Sequence, residues 1–191
     1  MSNLVQHTDG SIYGLAHGGG LRGDGVFYSL ALNLGSKVKA VLSSGKVGSR
    51  VEILGGGFTG ATAVSFNGQP SHFVFVSDTY LTAVVPAGAT TGPITVKTPT
   101  GTFSSMTSFL VVPKVISFSP TSGPVGTPVV ITGNSFTGAT KVTFGGVPAT
   151  SFTVDSDSQI TATVPTDAQT GKIGVTTPGG TGTSSGTFTV M

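Results

Sequence analysis

The chain has 191 residues, of which 8% are charged, with 30 Gly, 11 Pro, no Cys and a formal net charge of +2. The lack of cysteine excludes disulfides, zinc–thiolate sites and thiol nucleophiles. The small net charge gives no footprint for nucleic acid, and no run of about 18 apolar residues is present to span a membrane.

Helix formers are scarce, while β-branched residues and turn formers abound, which predicts an all-β fold. Hydrophobic residues make up 37% of the chain and alternate with polar ones. Such a chain is expected to fold rather than stay disordered.

Residues 1–36 stand apart. They hold His7, Asp9, His17 and Asp24, a triple glycine at Gly18–Gly20, and two strand-like runs. One run is Ser11–Leu15, after the Asp9-Gly10 turn, and the other is Val26–Leu32. Together they predict a short β-hairpin-like fragment, too small to bury a core by itself. Met1–Gly10 lacks the basic and apolar regions of a signal peptide, so an exported parent is expected to carry its signal elsewhere. Leu4-Val5-Gln6, Thr8-Asp9-Gly10, Tyr13-Gly14, Gly19-Gly20 and Gly25-Val26-Phe27 together resemble one unit of the GloVer-type tandem repeat of secreted bacterial proteins. The resemblance implies the trailing end of a longer array. Deprived of its natural neighbours, this unit is expected to lean on the next domain or move independently of it.

From Lys37 the chain says everything twice. Phe58-Thr59-Gly60-Ala61-Thr62 returns as Phe136-Thr137-Gly138-Ala139-Thr140, followed in both copies by Val, Phe, Gly and Pro at matched spacing. Val51–Gly55 aligns with Val129–Gly133, and Ser77–Pro86 with Ser156–Pro165. The offset drifts from 77 (Lys37 to Lys114) to 79 (Ser77 to Ser156), so loop insertions separate the copies. The predicted domains are 37–112 and 113–191. Each copy divides into six or seven runs with period-2 alternation, in the second about 114–118, 128–133, 140–144, 149–154, 158–164, 171–176 and 186–190. Regular short strands separated by turn signals predict a sandwich or barrel. Val142, Phe144, Phe152, Val154, Ile160, Ala162 and Val164 share one face and are expected in the core.

Ile116–Pro124, Val129–Gly133, Phe136, Ala139-Thr140, Val142–Gly146, Ile160–Pro165 and Gly171 resemble the IPT/TIG domain. That resemblance implies an immunoglobulin-like β-sandwich, and the whole chain then reads as two of them in tandem behind the N-terminal fragment. The first copy departs at Val41–Ser44, where the Pro of Ser119-Pro120 has no counterpart. This leaves the edge of its first strand less defined.

Several stretches invite a chemical reading. Gly18–Gly23 and Gly55–Gly60 both satisfy G-x-G-x-x-G, but a dinucleotide site needs a helix after that loop, and none is predicted. The second copy of Gly55–Gly60 is Gly133-Asn134-Ser135-Phe136-Thr137-Gly138, which keeps the pattern without two of the glycines. Turn glycines at positive φ are the expected explanation. Gly182–Gly186 satisfies G-x-S-x-G, yet no His follows it and a loop is expected. Asp155 and Asp157 resemble the start of a calcium loop, but the third ligand and the glycine are missing. Asp78 and Asp157 are expected instead to make Asx-turns into the next strand.

His7, Asp9, His17, Asp24 and His72 are the residues from which an acid–base or metal site could be assembled, if the fragment packed on the first sandwich. Lys37, Lys39, Lys46 and Arg50 help give 37–112 five basic against two acidic residues, compared with three against three in 113–191. Some IPT/TIG domains occur in DNA-binding factors, but phosphate binding wants a larger basic surface. The leading expectation is a non-catalytic spacer, adhesion or binding module of an exported bacterial protein, without cofactor, meeting a protein or polysaccharide surface. Trp is absent and Tyr13, Tyr28 and Tyr80 are scattered, so no aromatic platform for sugars is evident. The competing expectation is a small hydrolase, calcium- or zinc-dependent, built on the His/Asp set.

Overall fold

The computed structural model describes residues 5–6, 11–16, 26–31 and 37–191. Strands β1 (Val5–Gln6), β2 (Ser11–Ala16) and β3 (Val26–Ala31) form one antiparallel sheet in that order. Tyr13 and Phe27 stack across it with ring centroids 5.7 Å apart.

The first repeat contributes β4 (Val38–Ala40), β5 (Ser44–Gly45), β6 (Arg50–Gly55), β7 (Ala63–Phe66) and β8 (Gln69–Ser71). It continues with β9 (Phe73–Ser77), β10 (Tyr80–Val84), β11 (Ile94–Thr98), β12 (Gly101–Ser104) and β13 (Leu110–Val111). One sheet runs β4-β6-β10-β9, the other β12-β11-β7-β8, and β13 pairs in parallel with β5.

The second repeat repeats the arrangement strand for strand. It comprises β14 (Lys114–Ser119), β15 (Ser122–Gly123), β16 (Pro128–Asn134), β17 (Lys141–Phe144) and β18 (Val147–Pro148). The rest are β19 (Phe152–Ser156), β20 (Gln159–Thr163), β21 (Ile173–Thr177), β22 (Gly180–Thr183) and β23 (Thr189–Val190). Its sheets run β14-β16-β20-β19 and β18-β17-β21-β22, with β15 parallel to β23.

Period-2 patterning builds each core. In β6 and β16 every second side chain is buried, and Ile53 and Ile131 are fully enclosed. Phe66 meets Phe109 edge-to-face at 5.2 Å, and Phe144 meets Phe188 at the same distance. This geometry suits the ring quadrupole. Of the seven predicted core residues, Val142, Phe144, Ile160, Ala162 and Val164 are buried, while Phe152 and Val154 pack half-buried against the core. Both half-buried residues lie on β19, the edge of its sheet, where neighbours cover one flank only.

Each repeat divides into ten strands, against the six or seven runs predicted. The opening strand of the first repeat has three residues against six in the second, at the place where the Pro is missing. Gly180–Thr183 is a strand, so the loop expected over Gly182–Gly186 starts only after Thr183. Pairing with β21 overrides the weak propensity.

Candidate functional site: the repeated loop and the domain junction

The loop after β6 and its copy after β16 are closely constrained by their surroundings. Gly55 lacks a side chain because a Cβ there would strike the Lys37 carbonyl and the Phe58 ring, and Gly133 is closed in the same way by Lys114 and Phe136. Close approach, rather than positive φ, fixes these two glycines. Gly57 (φ 76°) and Gly60 (φ 72°) do need the left-handed region, as does Gly138 (φ 76°). Phe58 and Phe136 then turn inward and are fully buried.

A carboxylate holds each loop. Asp78 Oδ2 accepts from the Gly57 amide at 3.1 Å. Its Oδ1 accepts from the Thr59 amide at 3.0 Å and from Thr59 Oγ1 at 2.6 Å. Asp157 repeats the set with the Ser135 amide at 3.1 Å, the Thr137 amide at 3.2 Å and Thr137 Oγ1 at 2.7 Å. Successive amides pointing at one spot make an anion-binding concavity. Here the chain's own carboxylate fills the place a phosphate would take. The Thr59 hydroxyl and amide and the Gly57 amide draw the Asp78 carboxyl below its usual pKa of 3.8, against an opposing effect of burial.

The predicted Asx-turns are therefore corrected. Asp78 and Asp157 reach back across about twenty residues, and the local turn is made by serine. Ser77 Oγ accepts from the Thr79 amide at 3.3 Å, and Ser156 Oγ from the Ser158 amide at 3.2 Å.

At Ser135 the second loop gains a further role. This residue takes φ 59° where the first copy has Gly57, and it is 4% exposed. A non-glycine residue there is uncommon and calls for a reason. The reason is across the junction: Ser135 Oγ donates to the Ala89 carbonyl of the first sandwich at 3.1 Å. On the linker side, a Cβ at Gly179 would meet the Val111 carbonyl, and one at Gly182 the Pro113 carbonyl. Both ends of Val111–Lys114 are thus pressed against the second sandwich. The Val112 amide, in turn, donates back to Gly45 of the first at 3.0 Å. Sequence reading registered the Gly57-to-Ser135 change but not its contact. The available signal was a side chain placed where the repeat demands positive φ.

The other candidates form no site among the described residues. His7, Asp9, His17 and Asp24 lie outside the described residues. His72 is exposed just before β9. Among the described residues, no three His, Asp or Glu side chains gather as a metal-holding group. Asp155 Oδ2 accepts from Thr161 Oγ1 at 2.8 Å, so it serves its own sheet while Asp157 serves the loop. Ser184, the central residue of the G-x-S-x-G match, is 2% exposed. Its hydroxyl accepts from the Ile173 amide at 3.0 Å and donates to the Gly186 carbonyl at 2.7 Å. Ser105 makes the same pair of bonds in the first copy, with Ile94 and Thr107. This serine closes a strand exit in both repeats.

No curated protein matches the chain. Among solved structures, it is similar to SGBP-B from a complex xyloglucan utilization locus in Bacteroides uniformis (21% identity, 80% of this chain and 48% of that one, TM-score 0.38). It is also similar to the surface glycan-binding protein PbSGBP-B from Prevotella bryantii (22% identity, 77% and 38%, TM-score 0.43). An auxiliary nutrient binding protein from Bacteroides ovatus is similar at 28% identity over 42% of this chain and 21% of that one, with TM-score 0.39. The chain thus spans less than half the length of each. The IPT/TIG domain matches twice, over residues 36–111 and 113–190. With the repeated sandwich, the repeated loop and both matches in register, the chain belongs to the IPT/TIG domain family.

Proposed function

We propose that the chain is a non-catalytic pair of immunoglobulin-like modules, 37–112 and 113–191, from an exported bacterial protein. It acts as a spacer, an adhesion unit or a binding unit for a protein or polysaccharide surface. One observation carries the reading. In both copies the groups that look most like chemistry, the glycine loop and its carboxylate, are bound to each other. They hold the end of a sandwich in shape, and in the second copy that end meets the neighbouring domain. Export is supported by the likeness of residues 1–36 to a repeat of secreted bacterial proteins.

A broad hydrolase panel, run on the full chain with and without EDTA, tests the non-catalytic part. No turnover is expected. Turnover lost in His72→Ala or on chelation would overturn it. Glycan and protein arrays test the binding part, where saturable retention on at least one surface is expected. A chain that binds nothing on either array would leave only the spacer role.

A further inference from the structure

The sheet β4-β6-β10-β9 carries an apolar stripe on its outer side. Val51, Ile53, Leu81 and Ala83 are buried in the core, so alternation turns Leu54, Tyr80 and Val84 to the opposite face. Leu54 and Tyr80 are direct cross-strand partners. Val74 on β9 stands opposite Thr82, which lies between Tyr80 and Val84 on that face. Direct and diagonal neighbours of this kind are about 4.5–8 Å apart, close enough to form one surface. Leu54, Val74 and Val84 are exposed, and Tyr80 is half-buried.

The duplication again acts as an internal control. In the second sandwich the positions of Leu54, Tyr80, Val74 and Val84 are held by Thr132, Gln159, Thr153 and Thr163, on strands paired in the same order. Val130 takes the place of Glu52, so one apolar residue remains there. Both sandwiches form the same sheet, so the fold does not require the stripe. The first sandwich differs in what precedes it, the three-stranded sheet β1-β2-β3. That sheet has bare apolar surface of its own. Tyr13 and Phe27 stack on one face of it, and Phe27 is 65% exposed.

We infer that the β1–β3 sheet docks on the outer face of the first sandwich, with the Phe27 ring over Leu54, Val74 and Val84. Contiguous apolar surface of this kind marks an interaction site, and the connection names the occupant. The six residues 32–37 join β3 to β4 and span at most about 20 Å. β4 lies three strand spacings of about 4.8 Å from β9, and a sheet laid on the face sits about 10 Å above it. The tether therefore reaches the whole stripe. It also holds the small sheet at an effective concentration on the order of millimolar, above that of a second copy in micromolar solution. Docking covers the face and leaves the backbone edge of β9 open.

The test is nuclear Overhauser contact in the full chain, between the Phe27 ring protons and the methyl groups of Leu54, Val74 and Val84. Cross-peaks are expected, unchanged on dilution from about 1 mM to about 0.05 mM, a range below the effective concentration of a short tether. Phe27→Ala should shift the amides of Leu54, Val74 and Val84. Should that variant unfold the small sheet, the reciprocal one keeps the test: Leu54→Thr with Val74→Thr, the residues of the second copy, should erase the cross-peaks to Val84 and shift the Phe27 amide. Absent cross-peaks, or a Phe27 amide unmoved by the reciprocal variant, would overturn the inference. Cross-peaks that vanish on dilution would overturn it in favour of a second copy as the occupant.

Discussion

The loops at Gly55–Gly60 and Gly133–Gly138 share a buried phenylalanine, a carboxylate clamp and a left-handed third position, yet they face different surroundings. The second packs on the first sandwich through Ser135. The first, with Gly57 at that position, makes no such contact among the described residues. The parts held in common are those the sandwich needs to close its end. The part that differs is the one that joins two domains. In a tandem repeat, shared residues report folding, and residues that break the repeat report what each copy does in its place.

The largest expected effects strike what the copies share. Phe66→Ala and Phe144→Ala each empty a fully buried site and should cost about 3–5 kcal/mol, measured by urea melts. If either variant melts like the unsubstituted chain, the core assignment of that ring fails. Next comes the clamp. Asp78→Ala leaves two amides and a hydroxyl without their acceptor and should cost about 1.5–3 kcal/mol, the usual range for hydrogen bonds to a charged group. The clamp also sets an acid limit. The folded Asp78 carboxyl sits below its ordinary pKa of 3.8. Its contribution is therefore present above that value and lost as pH falls through the lowered one. Acid titration of the unsubstituted chain should show a stability loss below pH of about 4 that Asp78→Ala reduces.

Smaller effects fall where the copies differ. Ser135→Gly removes the junction hydrogen bond, worth about 1 kcal/mol, but also relieves a left-handed backbone. The net stability change should be small, and the junction should loosen. The outer faces differ as well. On the first sandwich Leu54, Val74 and Val84 are exposed, at 48%, 59% and 38%. The corresponding second-copy residues are Thr132, Thr153 and Thr163. β9 is an edge strand, and an apolar edge is an association hazard. Val74→Thr should change stability by no more than about 0.5 kcal/mol and raise the concentration at which the chain aggregates, as read by light scattering. Unaltered aggregation would remove the edge from consideration.

Much of this was legible in the residues. Alternation gave the strands, and the alignment of the two FTGAT stretches showed that the glycine loop outlives two of its glycines, so its role is structural. The clamp was not legible. Asp78 and Gly57 are 21 residues apart, and only the sheet order puts the β9–β10 turn at the same end as the loop after β6. The strand at Gly180–Thr183 was missed because its stability comes from its partner and the linker, not from its own composition. Ser135 was visible as a departure from the repeat, but its partner Ala89 belongs to a different domain, which periodicity does not reach.

The central claim is that the second copy of the loop has become a joint between two modules. ¹⁵N relaxation of the full chain tests it most directly, by comparing rotational correlation times for the cores around Ile53 and Ile131. One common time in the unsubstituted chain, splitting into two in Ser135→Gly, is the predicted result. Two distinct times in the unsubstituted chain, unchanged by the substitution, would contradict the account.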